Sequence, residues 1–458
     1  MDRRTFLKAA SSFALLLPLT GKKAFAQSYE PYPGPFLLCI HAGGGWDTTM
    51  SFDPKPPYED EKGEKIINNT YTTTETFGPF SYAPIQYHLT ANNPATPWLH
   101  DPRTFLINND RPSMLLINGV DTQTNAHPVG EQVVWSGHVG RDYPSLAALL
   151  AIKASRDFEK IPCAYFANNG GYVRTLGRVP LSQVNSAARI RELANQERLP
   201  AVNETLNLFS EQTSRRIQQA NEKRIQQLSQ ELRLPESTAA LGHYDKAMLT
   251  RHGLAPLIDP VAGGLPATAV TSVSRRSQLA GTTSATAIDT ELQQVQMALH
   301  GFNTGTMASA SITLGGFDSH SNNDNVQRPR MGYLLILLDY ILEEARRLGL
   351  LDRLTLVVGS EFSRTPTYNN NNLGKDHWNT TSYLLFGPHI RGDRVLGATT
   401  RNQYPEYINP QNPSQLLPKD AGGIALRPSH VHHALRRALG LAEFNVPYEF
   451  LEGDIQLF

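Results

Sequence analysis

A parallel α/β sheet is the fold class this sequence predicts, and three observations carry it. Leu334, Leu338, Ile341, Ala345 and Leu348 recur at steps of three and four, the spacing of a helix with one apolar face. Gly349 stands where such a helix stops, and the apolar, β-branched run Leu354–Val358 follows, which reads as a buried strand. Helix followed by buried strand is the unit of a parallel α/β sheet. Third, Glu361, Arg364, Asp376 and His377 come directly after that strand. Ligands of such sheets bind beyond the carboxyl ends of the strands, so this grouping points to a metal or an anion rather than to packing.

The elements follow in order. Residues 1–26 read as a leader. Arg3 and Arg4 form a twin-arginine signature, Leu15, Leu16 and Leu17 lie in an apolar stretch, and Ala24-Phe25-Ala26 is a small-x-small cleavage site. The stretch is too short to cross a bilayer, and no later one approaches the roughly 18 apolar residues a span needs. The expectation is a soluble mature chain in the periplasm or outside the cell, with the twin-arginine export machinery as a partner. Phe36–Ile40 is a continuous apolar run, hence a buried strand, and His41-Ala42-Gly43-Gly44-Gly45-Trp46-Asp47 closes it with a turn that lets backbone approach a ligand. Neither a dinucleotide fingerprint nor a P-loop is present there.

Residues 54–110 are rich in Pro, Asn, Thr and Tyr and read as a long irregular excursion. Met114–Val120 is the next strand, followed by the segment Thr122 to His127, and Ile161–Phe166 is another. From Ala187 to Leu232 the composition turns to Glu, Gln, Arg and Asn, with Leu206, Phe209, Thr213, Ile217 and Ala220 on one helical face. This predicts a helical insertion or cap over 187–250. A coiled-coil arm fits less well, because the stripe does not last three to four heptads. Residues 254–287 read as loop, Asp289–His300 as helix, Met307–Leu314 as strand ending in Gly315-Gly316-Phe317-Asp318-Ser319-His320, and Ser382–Phe386 as strand. A last helix is expected to start at Ser429, as cap, and run to Leu439.

Composition bounds the function. The chain has 458 residues with 40% hydrophobic and 18% charged, enough for a sizeable core. Lys plus Arg and Asp plus Glu number 42 each, so no excess of positive charge favours nucleic acid. Only Cys39 and Cys163 are present, which excludes a disulfide scaffold, and Cys39 in its apolar run reads as a buried thiol. Asp47, Asn125 to His127, Asp318 with His320, and Glu361 with Asp376 and His377 then stand at four strand ends. Mixed carboxylates and imidazoles suit zinc, manganese or iron better than calcium. These side chains exceed what one tetrahedral zinc uses, which leaves one or two ions open. His430, His432 and His433 look like a further cluster. On a helix only 430 and 433 share a face, so they read as ordinary helix residues.

In these motifs the chain resembles the bacterial domain of unknown function 1501 family. The resemblance rests on the twin-arginine leader, Gly44-Gly45-Trp46-Asp47, Gly315 to His320, Ser360-Glu361-Phe362-Ser363-Arg364-Thr365-Pro366 and Asp376-His377-Trp378. That family is similar to the alkaline phosphatase superfamily, which includes sulfatases and phosphomutases. The resemblance implies an alkaline-phosphatase-like core over 30–458, with a mainly parallel sheet between helices, interrupted by the insertion. It implies metal ligation by Asp47, Asp318, His320, Asp376 and His377, with Glu361 as a sixth ligand and zinc or manganese foremost. The superfamily carries a Ser, Thr or modified Cys nucleophile at the helix start after the second strand, where this chain has Ala126-His127. Alanine cannot attack phosphorus or sulfur. His127, Thr124 and Arg364 are the remaining candidates for catalysis, Arg364 as a bidentate anion holder. Two functions stay open: an exported metal-dependent hydrolase of small phosphate or sulfate esters, and a non-catalytic exported protein that binds a ligand or partner.

Overall fold

The computed structural model describes residues 31–458 except 60, 64, 67–70, 89–94, 96–97, 110–112, 140–142, 159–160, 162–164, 168–182, 185–197, 200–202, 208, 239, 243–288 and 443–454. The expected leader, Cys163 and the 254–287 loop fall outside the described residues.

Among the described residues, eight strands form the central sheet: β1 (Phe36–Ala42), β2 (Met114–Asp121), β3 (Tyr165–Ala167), β4 (Gln183–Val184), β5 (Ser309–Leu314), β6 (Leu354–Gly359), β7 (Thr380–Phe386) and β8 (Arg394–Leu396). Their order is β4-β3-β5-β1-β6-β7-β2-β8. Only β7 runs against its neighbours; the remaining pairs are parallel. β1, β6 and β7 are buried at every position, which is why they read as unbroken apolar runs rather than alternating ones.

Helices cover both faces. Successive residues of β1 point to opposite sides. Leu37 is in register with Ser309, whose hydroxyl donates to the Ala147 carbonyl of α2 (Leu146–Asp157) at 2.6 Å. On that same side, Tyr383 of β7 donates to Val134 of α1 (His127–Ser136) at 3.0 Å. Phe36 faces the other side and stacks on Phe302 of α4 (Asp289–Asn303), against which α5 (Asn323–Arg347) packs. The sandwich expected from the sequence is therefore present, and β1 and β6 are inner strands whose carboxyl ends open onto one edge.

Some boundaries differ for physical reasons. α5 starts at Asn323, well before the apolar periodicity at Leu334, because its first turns bury the polar Asn323, Asp324 and Gln327. It ends as expected, with Gly349 at φ +67° just after the cap. Among its described residues, the excursion at 54–110 holds three short antiparallel strand pairs and a helix, Pro102–Asn108. In the insertion, α3 (Glu211–Glu231) begins after Ser210, whose side chain accepts from the Thr213 amide. Leu206 and Phe209 precede that cap, so they do not belong to its stripe. The last helix, α6 (Pro428–Ala438), opens with Pro428 at its first turn, and Ser429 is buried inside it rather than capping it. Cys39 is a free, buried thiol. Among the described residues, no helix is long and apolar enough to cross a membrane.

Candidate metal centre

The turn after β1 shapes the site. Gly44 has φ +115°, and a Cβ there would lie 2.4 Å from the Asp318 amide nitrogen, so only glycine lets this backbone pass against the 317–318 segment. Its own amide then donates to Glu361 Oε1 at 2.8 Å. On the other side, Gly130 of α1 lies against the Glu361 backbone, where a Cβ would come within 2.7 Å of its carbonyl. That close approach brings His127, in the first turn of the same helix, beside the Glu361 carboxylate.

Three imidazoles converge beyond the strand ends, and each has one nitrogen committed. His127 Nδ1 lies 2.8 Å from Glu361 Oε1. Burial pushes the Glu361 carboxyl up, but the His127 hydrogen bond, the field of His41 and backbone amides outweigh it and hold it down to about 2. Glu361 is thus an acceptor, and His127 Nδ1 carries the proton. His377 Nδ1 lies 2.6 Å from the Asn125 carbonyl, which can only accept. His320 Nδ1 lies 3.0 Å from Asp376 Oδ1. The His320 bond, with help from Asn369, keeps the Asp376 carboxyl below its ordinary range against its partial burial. In the neutral rings the proton placements assigned from this network leave all three Nε2 atoms as bare lone pairs.

Those lone pairs meet. His320 Nε2 and His377 Nε2 are 2.9 Å apart, and Asp318 Oδ1 is 3.3 Å from the former and 4.0 Å from the latter. His127 Nε2 is 3.7 Å from Asp318 Oδ2. Ligand atoms of His127, Asp318 and His377 all lie within 4.8 Å of one another. Zinc bonds of about 2.0–2.2 Å in a tetrahedron set ligand atoms roughly 3.4 Å apart, and the separations above bracket that value. Two lone pairs at 2.9 Å repel unless a cation or a proton lies between them. On His377 a proton is disfavoured: burial, then the positive charge of Arg364 and the neighbouring rings, hold it below the ordinary imidazole range, and the Asn125 bond only partly opposes this. The donor set therefore fits a divalent cation. Each Nδ1 partner is of the kind that orients metal-bound histidines. The cluster is open to solvent, with the Asp318 and His320 side chains 53% and 46% exposed.

The remaining candidates are placed differently. Asp47 does not join the cluster. It is fully buried, its Oδ2 accepts from Lys375 Nζ at 2.7 Å and Asn323 Nδ2 at 3.1 Å, and its Oδ1 accepts from the Thr49 amide and hydroxyl. An ammonium thus occupies the place where the sequence resemblance puts a metal. Asp376 and Glu361 stand behind the histidines rather than among the converging atoms. Arg364 is sealed from solvent: Nε donates to Gly45, Nη1 to Lys375 and Nη2 to Gly44, all backbone carbonyls, and Nη2 also reaches Asp318 Oδ1 at 2.8 Å. It clamps the glycine turn to the ligand segments and has no exposed fork for an anion. Thr124 Oγ1 accepts from the Ala126 amide, and Thr122 lies buried against the Thr124 and Asn379 carbonyls. Ala126 caps α1 without a side-chain bond. The expected decoy behaves as one: His432 is buried and neutral, pushed by burial down to about 3, with Nε2 on the Val134 carbonyl, and His430 Nδ1 accepts from the Arg427 amide.

Two supports were not read from sequence. His41 Nδ1 accepts from Trp135 Nε1 at 3.0 Å, which turns its Nε2 toward Glu361 Oε2 at 3.3 Å. A histidine in an otherwise apolar strand was the available signal. Lys375 directly precedes the Asp376-His377 pair, and its burial had no sequence signature.

Solved structures superpose only slightly. A Bacteroides thetaiotaomicron protein of a core genetic locus for metabolism of multiple glycosaminoglycans gives a TM-score of 0.32 at 10% identity, over 90% of this chain and 74% of its own. Two mutants of TAB5 alkaline phosphatase with magnesium bound each give 0.29 at 8% identity, over 79% of this chain and 93% of theirs. Overlaps of this size transfer no role to any residue. No curated protein matches the chain. The family model for the protein of unknown function DUF1501 matches residues 36–419, a span holding every described strand of the sheet and every residue of the cluster, and the chain belongs to that family.

Proposed function

We propose that this chain is an exported, metal-dependent hydrolase of small phosphate or sulfate esters, using zinc or manganese. The observation that carries the reading is the convergence on the Asp318 carboxylate, at a solvent-open strand edge, of three Nε2 atoms whose rings each have a partner at Nδ1. His127, His377 and Asp318 would hold the ion, with His320 as the fourth donor. Such an ion supplies Lewis-acid activation of an ester oxygen or of the attacking water. Glu361 and the Asn125 carbonyl fix the tautomers of His127 and His377, so the donors are pre-oriented. Asp376 does the same for His320.

Water is the nucleophile this arrangement favours. Ala126 has no hydroxyl, Thr122 is spent on two carbonyls, and Thr124 accepts a backbone hydrogen bond beside the cluster. Export by the twin-arginine route rests on the leader alone. The test is turnover of aryl phosphates and aryl sulfates by the mature protein with zinc, manganese or magnesium. Metal-dependent turnover lost in His377→Ala supports the reading. Metal binding without turnover of either ester favours the non-catalytic alternative, which Ala126 also suits.

A further inference from the structure

Asp47 and Lys375 form an ion pair with both side chains 0% exposed, in the same strand-end region as the converging histidines. A buried carboxylate needs about four donors or a charge to replace its hydration. Asp47 has both. Lys375 Nζ and Asn323 Nδ2 fill Oδ2, while the Thr49 amide and hydroxyl fill Oδ1, the hydroxyl at 2.6 Å. The ammonium is itself held, 3.4 Å from Thr49 Oγ1 and 5.3 Å from the centre of the Tyr368 ring. A second metal here would have to expel a fully buried lysine, and at Asp47 would meet a carboxylate whose oxygens are all used. We infer that Lys375 is a resident cation that takes the place of a second metal, so that the centre holds one ion per chain.

The same lysine is a positioning residue for that ion. Its amide donates to Ser319 at 3.0 Å, and its carbonyl accepts from Arg364 Nη1 at 3.1 Å. The Asp47 pair adds a third tether, to the turn after β1. Asp376 and His377 follow at once in the chain, so the segment that supplies His377 is pinned from three sides before any ion arrives. Asp47 contributes through this tether and touches no ligand atom of the cluster.

The inference rests on the metal reading above, and one experiment separates the two. Native mass spectrometry of the full mature chain, titrated with zinc, counts ions per chain. One zinc at saturation is expected. A second equivalent would overturn the inference and leave the metal reading standing, whereas no zinc at all would overturn both. The double substitution Asp47→Asn with Lys375→Met removes both charges together, so neither is left buried alone. If folded, it should still take up one zinc, weakened by no more than the roughly 10–100-fold typical of losing an outer support. Loss of all zinc from that folded variant would make Asp47 a ligand and overturn the inference. Should the variant not fold, the count on the unaltered chain decides.

Discussion

Two carboxylates at the strand ends of one sheet are compensated in opposite ways. Asp47 is sealed and meets an ammonium of its own chain; Asp318 is half exposed and meets a guanidinium on one oxygen and imidazole lone pairs around both. In the first region the charge balance is complete within the polypeptide. In the second, three imidazole nitrogens face the carboxylate beside its guanidinium partner. A carboxylate after a strand is thus not by itself a metal ligand. What separates the two cases is that Asp47 meets only donors that carry protons, whereas Asp318 meets, beside Arg364, ring nitrogens of His127, His320 and His377 whose Nδ1 partners lie elsewhere.

The comparison breaks most visibly if the histidine region is emptied. In wild type, zinc at a thousandfold excess over its dissociation constant should stabilise the fold by about 4 kcal/mol. His320→Ala with His377→Ala should abolish that gain, so that melting curves with and without chelator coincide. A retained difference would place the ion elsewhere. On the sealed side, Lys375→Met leaves the Asp47 carboxylate buried and unpaired, and should cost about 3–5 kcal/mol in urea unfolding whether or not zinc is present. A loss below about 1 kcal/mol, the scale of an exposed pair, would contradict the burial described here.

Glu361 sharpens the contrast from behind the cluster. Glu361→Gln offers His127 a neutral amide oxygen and should weaken zinc binding about 10–100-fold by calorimetry. It also carries a pH signature. The folded carboxyl is held to about 2 against an ordinary 4.5, so its contribution is present above 4.5 and lost as pH falls toward 2. By the size of that shift the contribution is on the order of 3 kcal/mol. Metal-free Glu361→Gln should therefore show a flatter stability curve than metal-free wild type across that window. The smallest effect is expected at Thr124, whose hydroxyl only accepts from the Ala126 amide. Thr124→Ala should leave zinc affinity unchanged and stability within about 0.5 kcal/mol.

Much of the fold was legible because its inner strands are buried on both faces. Phe36–Ile40 and Leu354–Val358 announce themselves as apolar runs, and Gly349 marks a helix end that any residue with a Cβ would strain. The start of α5 was not legible, since Asn323, Asp324 and Gln327 are polar residues buried for the sake of the site and break the apolar period. Within the cluster, Asp318, His320 and His377 follow strands in the expected way. Asp47 follows β1 just as regularly, yet spacing cannot say which cation it faces: Lys375 is 328 positions away and meets it only in the folded chain. Arg364 carries the same lesson. A guanidinium beside such a cluster reads as an anion holder, but its donors go to three backbone carbonyls and to Asp318.

Anomalous diffraction at the zinc edge, from crystals of the mature chain grown with zinc, tests the central claim most directly. The account predicts a single peak about 2.0–2.2 Å from Nε2 of His127, Nε2 of His377 and a carboxylate oxygen of Asp318. The Asp47 side chain should remain on Lys375, with no anomalous density beside it. A peak against Asp47, or none among the three histidines, would contradict it.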